Sequence, residues 1–193
     1  YGIVQGGEWQ DLREKSVQFI SALPFQGFAI GGSLGKSKED MHKVLEWTIP
    51  GLPHHKPRHL LGIGEVDDLF EGVQRGVDTF DCVIPTRFAR TSNLLVPYDV
   101  PGASKRGTLV LRNAEFTRDE RPVDPNCQCY CCRNFSRAYL RHLYKSEEIL
   151  GSVLGTLHNI HFMLTLMRQI RASLEDGTFF ELKREWLEKK PRS

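Results

Sequence analysis

The stretch GFAIGG, residues 27–32, is a short apolar run that ends in two glycines, and it sets the pattern for the first 91 residues. Three similar runs occupy residues 2–6, 58–64 and 78–86, and an amphipathic stretch separates each run from the next. Such runs predict buried strands, and the stretches between them predict helices. Strands and helices in strict alternation are typical of parallel βαβ units, so we predict an α/β fold with a parallel sheet.

The three amphipathic stretches carry helix signals of different kinds. In residues 37–49, Ser37 followed three residues later by Asp40 predicts a capped helix start. Residues 66–76 place apolar side chains at helical spacing. In residues 9–23 the stripe expected to be buried consists of Leu12, Val17, Phe19, Ile20 and Leu23.

The rest of the chain changes character after residue 91. Residues 93–98 and 108–113 predict two strands of a small antiparallel insertion. From residue 136 onward the pattern is helical, and Gly177 is expected to end the longest helix. The seam of that helix is expected to pack in the core and consists of Val153, Leu157, Ile160, Leu164 and Met167. We therefore predict one domain over residues 1–91 and a second over 92–193.

Composition and charge exclude several classes of protein. The net charge is +2 and hydrophobic residues make up 40% of the chain, a balance that excludes a disordered chain or a strongly basic tail. No uninterrupted apolar run approaches the ~18 residues of a membrane helix. No basic and apolar leader opens the chain, so we expect a cytoplasmic location without membrane attachment. The chain begins on an apolar run without an initiator Met, so we expect an upstream segment.

Positive charge is concentrated in the middle of the chain. Residues 86–145 hold 11 basic and five acidic residues, whereas residues 1–85 hold eight basic and 12 acidic residues. A basic block of this kind can attract phosphate backbones. The alternative, which charge alone favours, is a solvated face without a ligand.

The apolar runs end in residues that suit a ligand pocket. Gln5-Gly6-Gly7, Gly31-Gly32-Ser33 and Gly62-Ile63-Gly64 each follow a predicted strand. The carboxyl ends of parallel strands face the ligand, and glycines there let a flat molecule approach the backbone. The alternative is that these are turn glycines, but three successive strands with the same ending favour a pocket.

Four of the five cysteines fall within residues 127–132. Cys127, Cys129 and Cys132 form a C-x-C-x-x-C knuckle, and a fourth ligand would complete a closed tetrahedral zinc site of the structural kind. His158 and His161 on the following helix are both available, and Cys131 competes with Cys132, so spacing alone leaves these two choices open.

Asp81 lies at the end of the fourth apolar run, in the segment FDCVIPTR, residues 80–87. A carboxylate there can act as a nucleophile, a general base or a hydrogen-bond acceptor. Taken alone, an aspartate near a strand end is more often a structural acceptor. A glycosyl-transferring enzyme would instead use it to trap the sugar carbon covalently.

Together with this segment, the knuckle and the later His-Asn pair, several longer motifs resemble tRNA-guanine transglycosylases. They are GIVQGG at 2–7, FAIGG at 28–32, LLGIG at 60–64 and FSRAYL at 135–140. The resemblance covers essentially the whole chain. It implies the C-terminal half of a TIM-type (β/α)8 barrel, with a small zinc-binding antiparallel β insertion and C-terminal helices. A full barrel takes ~250 residues, so 91 residues cannot close one.

The resemblance also implies a reaction. The family exchanges guanine at the wobble position of certain tRNAs for a 7-deazaguanine base, which makes it a pentosyltransferase. Asp81 matches the nucleophile that attacks the ribose C1′ and holds the tRNA covalently. Arg87 and Arg90 match residues that meet the anticodon loop. The positions that match the base pocket are Gln5, Gly32, Leu61 and Gly62, and those that match the zinc ligands are Cys127, Cys129, Cys132 and His158.

One departure from the bacterial pattern concerns the incoming base. Gly35 stands where bacterial members carry a valine, and eukaryotic catalytic subunits are similar in having glycine there. The resemblance therefore implies room for queuine rather than only its 7-aminomethyl precursor, unless Gly35 merely shapes a loop. It also implies a homodimer. Two rival functions remain, a non-catalytic partner subunit of the same fold and a zinc-stabilised RNA-binding module.

Overall fold

The computed structural model describes residues 1–189, which form two compact units that divide between Val83 and Ile84. The first unit alternates strands and helices. Its strands are β1 (Gly2–Val4), β2 (Phe28–Ile30), β3 (Arg58–Leu60) and β4 (Thr79–Phe80), and its helices are α1 (Gln10–Ser21), α2 (Lys38–Thr48) and α3 (Val66–Gln74). The sheet is parallel with the order β1-β2-β3-β4, and Val4, Ile30 and Leu60 lie in register. The predicted parallel α/β arrangement is confirmed.

Helix α2 shows how local sequence and packing agree. The Ser37 hydroxyl accepts the Asp40 amide and the Asp40 carboxylate accepts the Ser37 amide, which is the reciprocal capping box that the sequence predicts. The apolar face of the helix buries Met41, Val44 and Leu45 against the sheet. Burial of three such side chains stabilises the unit by roughly 1.5–3 kcal/mol each.

The predicted buried stripe of α1 is wrong in two of its members. Leu12 and Phe19 are 46% and 68% exposed, whereas Val17 is buried. The face that turns inward carries Arg13, Val17 and Ile20, at spacings of four and three residues, and Arg13 is fully buried. Apolar residues lie on two faces of this helix, and a charged side chain occupies the inner one.

The second unit contains an antiparallel pair and a group of helices. Its elements are α4 (Ile84–Arg90), β5 (Asn93–Leu95), β6 (Thr108–Val110), α5 (Tyr130–Asn134), α6 (Arg137–Lys145), α7 (Ile149–Glu175) and α8 (Phe179–Glu188), with short 3-10 turns in both units at Ile49–Gly51 and Ala114–Arg118. Strands β5 and β6 pair antiparallel, as predicted for the small insertion. Helix α4 belongs to this unit, and the predicted domain boundary at residue 91 stays a prediction.

The predicted core seam of α7 is wrong in four of its five members, and the fifth, Met167, is half-buried. Val153, Leu157, Ile160 and Leu164 are between 40% and 57% exposed. The buried stripe lies next to it around the helix and consists of Gly151, Leu154, Gly155, His158, Asn159, Phe162, Leu166 and Ile170. Both stripes have helical spacing, so periodicity could not choose between them. The contacts of the buried polar pair at 158 and 159 select the inner face.

Helix α7 is also long and apolar enough, by length and composition alone, to cross a membrane. Its 18-residue window has a mean hydropathy of 1.3, and 39% of that window is buried inside the protein. Core helices of soluble proteins meet the same test. His158 and Asn159 lie in the middle of this helix and both bond to the backbone of Leu95, which is the behaviour of a packed helix.

Candidate active site and metal centre

The carboxylate of Asp81 lies just beyond the end of β4. Its Oδ1 accepts a hydrogen bond from the Gly62 amide at 3.1 Å and lies 3.0 Å from Nε2 of His59. The side chain is nevertheless 59% exposed. Asp81 is therefore an oriented carboxylate that a ligand in solution can reach, which suits a nucleophile or a base better than a buried structural acceptor.

The ends of the first three strands meet beside one another. The Gln5 carboxamide and the Leu61 side chain both lie against Gly31, since a side-chain carbon added there would fall 3.0 Å from each of them. A carbon added to Gly32 would clash with the carboxamide oxygen of Gln5. Gly32 and Gly62 also have φ values of 76° and 74°, which favour glycine. The structure thus brings four predicted pocket positions to one edge of the sheet.

Gly62 has open space around it, unlike Gly31 and Gly32 at the end of β2. Nothing lies within 4 Å of the place where its side chain would begin. Its backbone amide bonds to Asp81, and the exposed residue is free on the other side. A flat molecule can therefore approach the backbone here, next to the carboxylate.

Arg13 holds the backbone at this edge through hydrogen bonds, and the sequence analysis did not identify it. Its guanidinium donates to the carbonyls of Gly31 at 2.9 Å, Ser33 at 2.8 Å and Gly7 at 2.8 Å, with a longer contact of 3.3 Å to Val4. Burial lowers the pKa of Arg13 from its usual value. One buried side chain thus fixes the backbone that follows both β1 and β2. Its signal in the sequence was the four-residue spacing to Val17.

The loop at Gly35 requires glycine for its own backbone. Gly35 has a φ of 98°, and a side-chain carbon there would collide with Cβ of Asp40. The Asp40 carboxylate is held in place because it accepts the amides of Lys36 and Ser37, both at 3.2 Å. The capped start of α2 therefore dictates glycine at position 35, whatever the incoming base requires.

Arg87 and Arg90 lie in the last turn of α4 and are both exposed. Their helix is held by Asn159, a buried residue that sequence reasoning named only as part of a motif. Its amide donates to the carbonyls of Pro85 at 2.9 Å and Asn93 at 3.1 Å, and its oxygen accepts the Leu95 amide. A single side chain of α7 therefore positions both α4 and β5.

Four predicted metal ligands converge in the second unit. Nδ1 of His158 lies 3.8 Å from the sulfur of Cys127, 3.5 Å from that of Cys129 and 3.3 Å from that of Cys132. A tetrahedral zinc ion with bonds of about 2.3 Å to sulfur and 2.0 Å to nitrogen would separate these atoms by about 3.5 Å. All four ligand atoms lie within 4.8 Å of one another. The spacing is compatible with zinc.

Hydrogen bonds prepare the four side chains for a cation. Nε2 of His158 donates to the Leu95 carbonyl at 2.7 Å, so Nδ1 carries the lone pair that faces the sulfurs. The pKa of the Cys129 thiol is lowered because Cys127 and Cys132 donate to it, while the pKa of Cys132 is raised by its contacts with Cys127 and Cys129. A cation would let all three sulfurs ionise together.

Cys131, which competed with Cys132 on spacing, is outside the cluster. It is fully buried in the apolar core of the second unit, and burial raises the pKa of its thiol to about 12. His161 likewise lies outside the cluster, one turn further along α7. Four protein ligands leave no open position for water, so the arrangement suits a structural site rather than a catalytic one.

Comparison with known proteins gives a consistent result. A family model described as queuine tRNA-ribosyltransferase matches residues 1–192. A putative queuine tRNA-ribosyltransferase of Archaeoglobus fulgidus is 54% identical over 188 residues, which cover 97% of this chain and 47% of the relative. The queuine tRNA-ribosyltransferase of Pelotomaculum thermopropionicum is 49% identical over 190 residues, covering 98% of the chain and 49% of the relative.

A third relative, from Symbiobacterium thermophilum and of the same name, is 50% identical over 190 residues, covering 98% of the chain and 46% of the relative. The chain spans about half the length of the curated relatives it matches.

Proposed function

Because the chain belongs to the queuine tRNA-ribosyltransferase family, we propose that the protein exchanges guanine at the wobble position of tRNA for a 7-deazaguanine base. The observation that carries this proposal is Asp81, an exposed carboxylate held beside the glycine-lined ends of three parallel strands. A structural acceptor would be buried and saturated, whereas this carboxylate is accessible.

The proposed reaction has two displacements at the ribose C1′. An oxygen of Asp81 attacks C1′, the C1′–N9 bond breaks, and guanine leaves with the bonding electrons and takes up a proton. The incoming base then loses a proton and attacks C1′ with its own nitrogen, and the Asp81 carboxylate leaves. Two inversions retain the configuration at C1′. No oxidant or nucleotide cofactor is needed, because one glycosidic bond replaces another.

The residues around Asp81 have proposed roles in holding the base. Gln5 can hydrogen-bond the purine edge, Gly32 can offer its amide to the base carbonyl, and Leu61 can stack on a ring face. Gly62 would let the base lie close to the backbone beside the nucleophile. Their proximity at one sheet edge supports these roles.

The second unit supplies RNA binding and rigidity in this proposal. Arg87 and Arg90 are exposed, and they begin the basic segment 86–145, so we assign them to phosphates of the anticodon loop. A zinc ion held by the Cys3His cluster would pin the segment 127–132 to α7 and has no catalytic role. We also propose a cytoplasmic homodimer as the working form.

The rest of a (β/α)8 barrel is proposed to complete the first unit. Within residues 1–189, β1 and β4 each pair on one side only, so these two outer strands of the four-stranded sheet have unpaired lateral edges. Additional parallel strands would close these edges and remove them. On this view the chain corresponds to the C-terminal half of the barrel of its longer relatives.

A base-exchange assay tests the proposed function. The full-length protein should incorporate radiolabelled guanine into a tRNA that has guanine 34 and not into one with adenine there. Asp81→Asn should abolish incorporation with tRNA affinity nearly unchanged. Asp78→Asn is the matched control, since Asp78 precedes β4 and binds Arg58 instead. Tight tRNA binding without exchange by the unmodified protein would favour a non-catalytic partner subunit or an RNA-binding module.

For the incoming base we propose queuine rather than its 7-aminomethyl precursor, since position 35 lacks the side chain that bacterial members place there. Gly35→Val is a poor test, because the collision with Asp40 would distort the loop. Direct competition of the two bases for exchange into guanine-34 tRNA, catalysed by the unmodified protein, avoids that problem. We expect queuine to win, and a clear preference for the aminomethyl base would contradict this choice.

A further inference from the structure

The ring of His59 on β3 lies between Thr79 of the neighbouring strand β4 and Asp81, which follows that strand. Nδ1 is 2.8 Å from the Thr79 hydroxyl, and Nε2 is 3.0 Å from Oδ1 of Asp81. We propose that His59 is a positioning residue, which holds one oxygen of Asp81 and presents the other to the ribose. This inference rests on the proposed function of Asp81 as the nucleophile.

The strand register explains why one ring reaches both partners. His59 and Thr79 are direct partners in the parallel pair β3–β4, so their side chains lie on the same side of the sheet. Asp81 follows Thr79 by two residues, and alternation returns its side chain to that same side. The ring is only 20% exposed, whereas the carboxylate is 59% exposed. The histidine therefore meets Asp81 from the protein side.

The two oxygens of the Asp81 carboxylate have different surroundings. Oδ1 receives two hydrogen bonds, from His59 and from the Gly62 amide. Oδ2 receives none from residues 1–189, so its lone pairs are available to a substrate. This asymmetry selects Oδ2 as the attacking atom and restricts rotation of the carboxylate.

The Asp81 carboxylate determines which nitrogen of the ring carries the proton, and the Thr79 hydroxyl bonds to the other nitrogen. An ionised carboxylate can only accept, so Nε2 must donate to Oδ1. In the neutral ring Nδ1 then accepts the Thr79 hydroxyl proton, and this tautomer follows from the hydrogen-bond pattern. The hydrogen bond from Nε2 orients the carboxylate without transferring a proton to it.

The same contacts act in both displacements. When Oδ2 bonds to C1′, Oδ1 becomes the carbonyl oxygen of an ester and keeps the hydrogen bonds from His59 and Gly62. When the incoming base expels the carboxylate, negative charge returns to both oxygens, and these donors stabilise it as it leaves. The ring transfers no proton in either step.

Single-turnover trapping separates this role from a structural one. The rate of covalent adduct formation is measured with saturating tRNA and no incoming base, alongside the tRNA dissociation constant and the thermal midpoint. His59→Phe keeps the ring size and removes the donor, and His59→Gln restores an N–H near the position of Nε2. His55→Phe is the matched control, because His55 is an exposed histidine on the loop before β3.

Loss of a hydrogen bond to a charged group is worth about tenfold to a hundredfold in rate. We expect His59→Phe to slow trapping by about that factor, with a dissociation constant within about twofold of the unmodified protein. His59→Gln should recover most of the rate, and His55→Phe should match the unmodified protein. A normal trapping rate in His59→Phe would overturn the inference. Equal slowing in His59→Phe and His59→Gln, with the thermal midpoint unchanged, would also overturn it.

Two further variants keep the test decisive. If His59→Phe does not fold, Thr79→Val decides, because it keeps the ring and removes only the hydroxyl that bonds to Nδ1 and holds the ring against Asp81. A slower trapping rate then supports the inference, and an unchanged rate overturns it.

Asp81→Asn separates a failure of the proposed nucleophile from a failure of the positioning role. An adduct that still forms in Asp81→Asn shows that Asp81 is not the nucleophile, and the proposed function then fails. If Asp81→Asn forms no adduct, a negative result for His59 contradicts only its positioning role.

Discussion

Two regions of the molecule are built in opposite ways: the metal cluster, and the strand-end edge where Gln5, Gly32, Gly62 and Asp81 follow the parallel strands. The cluster draws three of its four ligands from six residues, 127–132, and three of the four are buried. The edge draws on the ends of four separate strands, and Asp81 and Gln5 are exposed there. A site made mostly by one short segment can be identified from spacing. A site made by four segments depends on side chains elsewhere that hold the backbone, such as Arg13.

The metal cluster should respond most strongly to substitution. We expect Cys132→Ala to lose its zinc and to destabilise the second unit by several kcal/mol, about the loss typical of a structural site. Zinc content by mass spectrometry and the thermal midpoint measure this. Cys131→Ala is the control, and it should keep one zinc per chain because its thiol lies outside the cluster. Zinc lost from Cys131→Ala and kept by Cys132→Ala would reverse the assignment.

The strand-end edge should depend on a residue that touches no substrate. In Arg13→Met, four backbone carbonyls at the ends of β1 and β2 lose their donor, and the two buried ones, of Val4 and Gly31, cost about 1–3 kcal/mol each when unsatisfied. We expect a fall in the free energy of unfolding of about 3 kcal/mol or more in urea titrations. The control is Lys15→Met on the same helix, where an exposed ion pair with Asp11 is lost. Equal effects of the two substitutions would show that Arg13 does not organise the edge.

A smaller effect is expected where the second unit meets RNA. Arg87→Ala should weaken tRNA binding and lower the slope of log affinity against log salt by about one. Filter binding across a range of salt concentrations measures both quantities. Arg171→Ala, an exposed arginine on α7, should leave the slope unchanged. If the slopes of the two variants agree, Arg87 makes no phosphate contact.

The contrast between the two regions also explains what the sequence could predict. Alternating apolar runs were sufficient for the parallel sheet, and the Ser37 box for the start of α2. Proximity of Cys132 and His158 followed from the family resemblance, since spacing left Cys131 and His161 open. In each case the signal lies within a few residues or a long ordered motif.

The buried face of each helix was harder to predict. Periodicity shows that apolar residues share a face, but it does not show whether that face packs against the core. Helix α7 has two stripes of helical spacing, and the one with Val153 and Leu157 is exposed while His158 and Asn159 are buried. Arg13 was not part of the stripe predicted for α1, yet its guanidinium is buried and donates to backbone carbonyls of distant segments. His59 was missed for the same reason, although its register with Thr79 was available once the strands were paired.

The central claim is that Asp81 is the nucleophile, and isolation of the covalent intermediate tests it most directly. The full-length protein is incubated with guanine-34 tRNA without an incoming base, denatured, digested with nuclease and protease, and examined by mass spectrometry. We predict a ribose-linked peptide with the modification on Asp81, which disappears on a chase with queuine and is absent from Asp81→Asn. Exchange that proceeds without any adduct, or an adduct mapped to another residue, would contradict the account.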